Sequence, residues 1–197
     1  LVIVDGGKIN KCCEAERETG TTIEVKSLFF NVPVRRKFQR SPTFDATEVL
    51  KVVSVLALAH PEVRFQLVDD QKTVLQAPAT TKWEDRIYAV LGKEYSQALC
   101  EVEAQNEYGA VKGFVGLPTA TRPNRSGQYL FVNKRAVFSP LVSGAVRDGY
   151  GTAIATQRYP LFVLSLTLPG EWVDVNVHPQ KREVRLRQES QIRELLS

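Results

Sequence analysis

Three side chains within one short stretch could do chemistry: Asp174, His178 and Lys181, in the run DVNVHPQKREVRL at residues 174–186. A carboxylate with an imidazole suggests acid–base work, whereas a lysine on a strand end suggests phosphate. On a strand, Asp174, Asn176 and His178 share one face and Val173, Val175 and Val177 the other. Asp174 and His178 are then roughly 13 Å apart, too far for a hydrogen bond. No G-x-S-x-G elbow supplies a nucleophile. His178 therefore reads as structural, forming with Pro179 a break in the strand. Beyond it, Val184 and Leu186 turn inward, and Lys181, Glu183, Arg185 and Arg187 share the outer face. That face is either ordinary solvated strand or a rigid mount for Lys181, whose ammonium is a point charge with three donors suited to phosphate.

Other chemistries find less support. Cys12 and Cys13 are adjacent and Cys100 stands alone, so no CxxC or Cys/His ligand spacing exists, and the two histidines make a zinc site improbable. RDGYG (Arg147–Gly151) imitates an Asp-x-Gly-x-Gly turn, but Gly149 and Gly151 are more simply helix terminators. Neither G-x-x-x-x-G-K-[ST] nor G-x-G-x-x-G occurs, which excludes a self-contained P-loop or dinucleotide site. Three basic groups remain: Arg35-Arg36-Lys37, Arg122 with Arg125, and Lys134-Arg135. They fit solvated surface or a phosphate-backbone groove about equally, and no base-reading motif accompanies them.

The elements that must position these residues mix without a strict βα repeat, which predicts the α+β class. LVIVDGGKIN predicts a hairpin through Gly6-Gly7, and the alternation in TTIEVKS predicts a strand after Gly20. Pro33 ends extended structure ahead of the first basic group. A helix capped by Thr43 or Asp45 runs to about His60, apolar on most sides and so expected to be buried. A strand pair turns at Asp69-Asp70, and an amphipathic helix runs from Lys82 to about Leu91, closed by Gly92. Two strands joined through Gln105-Asn106 follow, then a strand turning at Asn133-Lys134. A helix covers Pro140 to about Thr156, LFVLSLTL is a strand, and Glu189–Leu196 is a terminal helix.

Composition sets the outer bounds. The 197 residues are 43% hydrophobic and 24% charged, as in a globular protein, and no apolar run approaches the roughly 18 residues of a bilayer span. Three unpaired-looking cysteines suit a reducing compartment. A net charge of +4 permits nucleic-acid contact without demanding it. A start inside a strand and the lack of any Met are what a piece of a longer protein would show.

GTTIEVKSLFFNVPVRRKF (Gly20–Phe38), GQYLFVNKRAV (Gly127–Val137) and VDVNVHPQKREVRL (Val173–Leu186) follow one another in the order and spacing of the MutL family of DNA mismatch-repair ATPases. The chain resembles that family over nearly its whole length. The family belongs to the GHKL superfamily, in which an ATP-binding sandwich precedes a transducer similar to ribosomal protein S5 domain 2. The resemblance implies that residues 1–40 are the last strands of that sandwich and 41–197 an S5 domain 2-like transducer. It gives Lys181 a catalytic and ATP-binding role at the γ-phosphate, and Gly20 and Thr21 a place in the last nucleotide-binding motif. It makes Arg35, Arg36, Lys37, Lys134 and Arg135 contacts for sequence-independent DNA binding.

The superfamily's catalytic Glu, Mg²⁺-holding Asn and Gly-rich lid have no match here. ATP and Mg²⁺ are thus expected as cofactors of the complete protein, a slow ATPase, while this piece alone would bind neither and hydrolyse nothing. The resemblance further implies a homodimer that meets mismatch-recognition and downstream repair proteins, with no membrane partner. Its setting would be the cytoplasm, at a bacterial nucleoid, or a eukaryotic nucleus. Two departures stand out: PVRRKF replaces the usual PARRKF, and AVFSPL after VNKR is less basic than in many relatives. A transducer of another GHKL ATPase, such as a type II topoisomerase, would carry Gln-Thr-Lys instead, which is absent. A stand-alone S5-like nucleic-acid-binding module would use Lys181 merely as one phosphate contact among several.

Overall fold

The computed structural model describes residues 1–174 and 184–196, and they fall into two compact units, Leu1–Thr47 and Glu48–Ser197. In the first unit, β1 (Val2–Asp5) and β2 (Lys8–Cys12) form an antiparallel hairpin. Gly6 and Gly7, at φ 56° and 89°, make its turn with the positive dihedrals a two-residue hairpin needs. The strand expected over TTIEVKS does not form. Alternation gives Ile23 and Val25 a common face, but a strand also needs a neighbour, and no described strand pairs with this segment. The two side chains stay 84% and 69% exposed. α1 (Pro33–Lys37) is a single turn opened by its proline.

α2 (Pro42–Ala59) begins in the first unit and ends in the second. Its cap is neither Thr43 nor Asp45 but Ser41, whose Oγ accepts the Phe44 N–H at 3.3 Å, with Pro42 in the first turn. The expected burial is also corrected. Only Ala57 and Leu58 are enclosed, while Val49, Val52 and Leu56 remain about half exposed. The helix is apolar all round, yet only its last turn meets a core.

The second unit continues with β3 (Phe65–Asp69), β4 (Lys72–Ala77), α3 (Trp83–Leu91), α4 (Lys93–Gln97), β5 (Leu99–Asn106) and β6 (Gly109–Gly116). After β7 (Thr121–Arg122) come β8 (Gln128–Val132), β9 (Arg135–Val137), α5 (Pro140–Gly149), β10 (Tyr159–Pro160) and β11 (Phe162–Thr167). β12 (Val173–Asp174), β13 (Arg185–Leu186) and α6 (Glu189–Leu196) complete it. The β3–β4 turn is Asp70-Gln71, one residue beyond the expected Asp69-Asp70, and the β5–β6 turn is Glu107-Tyr108 rather than Gln105-Asn106, because β5 stays paired through Asn106, two residues past its apolar alternation. α5 stops at Gly149, short of Thr156, and gives way to a 3-10 turn starting at Gly151 with φ 52°.

The five-stranded sheet has the order β5-β6-β11-β8-β9, antiparallel except where β11 runs parallel to β8. Period-2 alternation sends its side chains into two cores. Leu130, Val132, Phe162, Leu164 and Leu166 pack with Val142 and Val146 of α5 and Ile192 and Leu195 of α6. Phe131, Val163 and Phe114 face Leu58 of α2, Ile87 of α3 and Tyr95 of α4. Helices thus cover both faces of a mixed sheet, an α+β arrangement. At Gly113 the strands approach so closely that a Cβ would lie 2.1 Å from the Val163 carbonyl oxygen.

Candidate functional site

β12 and β13 hold the chain on either side of the stretch that carries Lys181. Val173 pairs with Leu186 and Asp174 with Arg185. The Arg187 N–H donates to the Trp172 carbonyl at 2.8 Å, and its guanidinium lies 3.8 Å from the Asp174 carboxylate. Val184 and Leu186 enter the core beside α6, as their alternation predicts, and Arg185 and Arg187 face solvent. His178, Pro179 and Lys181 lie outside the described residues.

Gly20 and Thr21 are exposed, Gly20 at a bend and Thr21 just after it. Gly20 has φ 150°, and a Cβ there would meet only the Arg17 guanidinium, at 3.7 Å. Arg17 is itself anchored: Nη1 donates to Thr22 Oγ1 at 2.7 Å and Nε to the Glu18 carbonyl at 3.1 Å. An open backbone beside a fixed guanidinium fits an anionic ligand such as a nucleotide phosphate. Close by in the same unit, a concave surface of about 950 Å³ is lined by Arg17, Thr22, Glu24 and Lys26 together with β1; Gly20 and Thr21 are not in its wall. Among the described residues no three His, Cys, Asp or Glu side chains come together.

The basic groups are placed differently from one another. Arg35, Arg36 and Lys37 form the exposed last turn of α1, where cations also favour the negative end of a helix dipole. Lys134 and Arg135 occupy the β8–β9 hairpin, whose turn residues Asn133 and Lys134 have φ 49° and 66°. Asn133 braces this turn: its Nδ2 donates to the Leu168 carbonyl and its Oδ1 accepts the Leu168 N–H, both at 3.0 Å. Lys134 stands near Glu62, which sits 3.3 Å from His60 Nδ1. A bond from its own backbone N–H, the His60 side chain and, less strongly, Lys134 hold the Glu62 carboxyl below the usual range.

Arg125 makes cation–π contacts with two aromatic rings, 5.5 Å from the Phe138 centroid and 5.2 Å from that of Tyr159. Arg122 is exposed and sits opposite Tyr159 in the β7–β10 ladder. Arg158, which sequence reasoning passed over, donates from Nε to Thr121 Oγ1 at 3.0 Å and from Nη2 to the Thr121 carbonyl at 2.7 Å. It lies 33 residues beyond Arg125 in sequence, and nothing in its local run marks it as a partner of that loop.

Against known proteins, the family model for the DNA mismatch repair protein, C-terminal domain, matches residues 87–197. The DNA mismatch repair protein MutL of Chlamydia trachomatis serovar L2 is 42% identical over 94% of this chain and 32% of its own length. MutL of Rhizobium rhizogenes is 39% identical over 99% of this chain and 32% of its own. The crystal structure of the ATPase domain from the mismatch repair endonuclease MutL of Aquifex aeolicus superposes with a TM-score of 0.63 at 25% identity, covering 100% of this chain and 69% of that one. The chain spans about a third of the length of the curated relatives it matches.

Proposed function

The chain belongs to the DNA mismatch-repair protein family of the MutL type, and from that premise we propose that it is the coupling segment of a nucleotide-switched repair ATPase. In this reading residues 41–197 are the transducer and residues 1–40 complete the ATP-binding sandwich. Lys181 holds the terminal phosphate of ATP and stabilises the negative charge that develops there. Gly20 and Thr21 offer open backbone to the nucleotide. ATP supplies the phosphoryl group whose presence distinguishes the two states. Because Lys181 follows β12 and precedes β13, a phosphate it grips pulls on two strands anchored in the transducer core, which is how nucleotide state would reach homodimerisation and contact with other repair proteins. Arg35, Arg36, Lys37, Lys134 and Arg135 contact the phosphate backbone of DNA without reading sequence.

The observation that carries this reading is the clamped base of the Lys181 segment: paired strands, buried Val184 and Leu186, and the Arg187–Asp174 contact. These contacts fix the two strands between which the Lys181 segment runs in sequence. No helix among the described residues is long and apolar enough to cross a membrane, and the proposed setting is the cytoplasm, at the nucleoid in a bacterium, or the nucleus in a eukaryote. The test is Lys181→Ala in the complete protein. ATP turnover should fall by about 100-fold, the scale for losing one charge-stabilising donor, while DNA affinity changes little. Unchanged turnover would sink the γ-phosphate role.

A further inference from the structure

We propose that Arg122 and Arg125 form a second DNA phosphate contact, continuous with the Lys134-Arg135 hairpin along one edge of the transducer sheet. The inference rests on the DNA-binding reading above and adds a place and an extent to it.

Two exposed arginines on a loop are ordinarily solvated and flexible, but this loop is pinned at several points. Arg158 ties Thr121 by side chain and backbone. Asn124 Oδ1 accepts the Ser126 N–H at 3.0 Å, and the Gln128 N–H donates to the Arg125 carbonyl at 3.2 Å. Arg125 is held over the Phe138 and Tyr159 rings, and Arg122 faces Tyr159 across the ladder. A cation–π contact holds a guanidinium near the rings without using up its five N–H donors. Neither arginine makes an ion pair or a side-chain hydrogen bond among the described residues, although the loop around them is held in place. Exposed cations without an acidic partner, carried on a pinned loop, raise the local positive potential and favour an anion beside them.

Their position selects the anion. Phe138, under Arg125, directly follows β9, and Arg135 opens the same strand. Among the described residues β9 is the last strand of the sheet, with a strand partner on one side alone. Arg135 and Phe138 are three positions apart, roughly 10 Å of strand, over which one strand of B-DNA presents about three phosphates. Two pairs of cations at the ends of one short edge strand therefore match the repeat of a nucleic-acid backbone better than a single small phosphate ligand.

The experiment compares three forms of the complete protein on a non-specific DNA duplex: wild type, Arg122→Gln/Arg125→Gln, and Lys134→Gln/Arg135→Gln. Affinity is measured by fluorescence anisotropy between about 50 and 200 mM salt. If both loop arginines neutralise phosphates, the slope of log affinity against log salt becomes shallower by about 2 in the loop variant, at about 0.9 per contact. A loop variant that keeps the wild-type slope while the hairpin variant loses its own overturns this inference and leaves the broader reading intact. Wild-type slopes in both variants overturn the assignment of DNA to this edge altogether. Should the double loop variant misfold, Arg122→Gln alone, which leaves Arg125 and its ring contacts in place, must still lower the slope by about 1.

Discussion

Arg86 is fully enclosed, and among the described residues its bonds go to carbonyls rather than to a carboxylate. Its Nη1 donates to the Ala57 carbonyl at 2.9 Å, and its Nη2 lies 2.7–2.8 Å from the carbonyls of Pro61, Val63 and Pro78. Burial disfavours its charged form, an effect that nearby Glu62 opposes. The guanidinium thus fastens the end of α2 and the loop after it to α3 and the end of β4. Arg86→Ala would take the side-chain donor from all four carbonyls, of which Pro61 keeps the Thr80 N–H at 2.9 Å, and a cost of about 3–5 kcal/mol is expected in a urea melt. Arg86→Lys should recover little of it, since an ammonium cannot reproduce a planar fork. Tyr95 makes a comparable buried contact, its hydroxyl donating to the Gly127 carbonyl at 2.6 Å. Burial pushes its phenol well above the ordinary value and that of Tyr150 up to about 12. A raised folded-state value means stability is intact below pH about 10 and falls as pH rises beyond it, by up to ~1.4 kcal/mol per pH unit for each tyrosine. Tyr95→Phe should therefore be less stable than wild type at neutral pH yet lose less stability above pH 10. Parallel alkaline unfolding curves would refute that.

Among the elements, two hairpin turns were legible to the residue, while those after β3 and β5 fell one and two positions later than their residues suggest. Gly6-Gly7 and Asn133-Lys134 name turns whose backbone conformation few other residues adopt, and both occur where the residues place them. α3 and α6 were equally readable, their apolar positions recurring at helical spacing. Pairing and long-range contact were not readable. TTIEVKS has strand alternation without a partner strand, and α2 has apolar residues on every side with only Ala57 and Leu58 enclosed. The basic groups were visible as residues, but the pinning of the Arg122–Arg125 loop depends on Arg158, Phe138 and Tyr159, which converge from elsewhere in the chain. Gly113 shows the same limit. Its sequence neighbours predict an ordinary strand, while its role is set by the Val163 carbonyl on the adjacent strand. Gly113→Ala would force that pair of strands apart. A loss of about 3 kcal/mol, at the upper end for overpacking, is expected from the shift in denaturant midpoint. A midpoint unchanged from wild type would show that the β6–β11 pairing yields without strain.

At the scale of the whole chain, the two units differ in what can hold them together. Glu48–Ser197 contains both hydrophobic clusters, with β6, β8 and β11 between helices. Leu1–Thr47 has no fully buried residue, and its large apolar side chains are open to solvent, Ile9 at 70% and Phe38 at 79%. Burying apolar surface is the main favourable term in folding, and here the first unit contributes almost none of it to offset the entropy of ordering its backbone. Its hairpin is two strands on their own, an arrangement that is marginal in water. Hydrogen exchange followed by mass spectrometry on the 197-residue chain should therefore divide it sharply. Backbone amides of residues 1–41 should exchange at close to unprotected rates. Those of β6, β8 and β11 should exchange only through global unfolding, slowing together as stability rises and speeding up together in Gly113→Ala. Protection of the β1–β2 hairpin comparable to that of β11 would contradict this, because it would require a core that the first unit does not have.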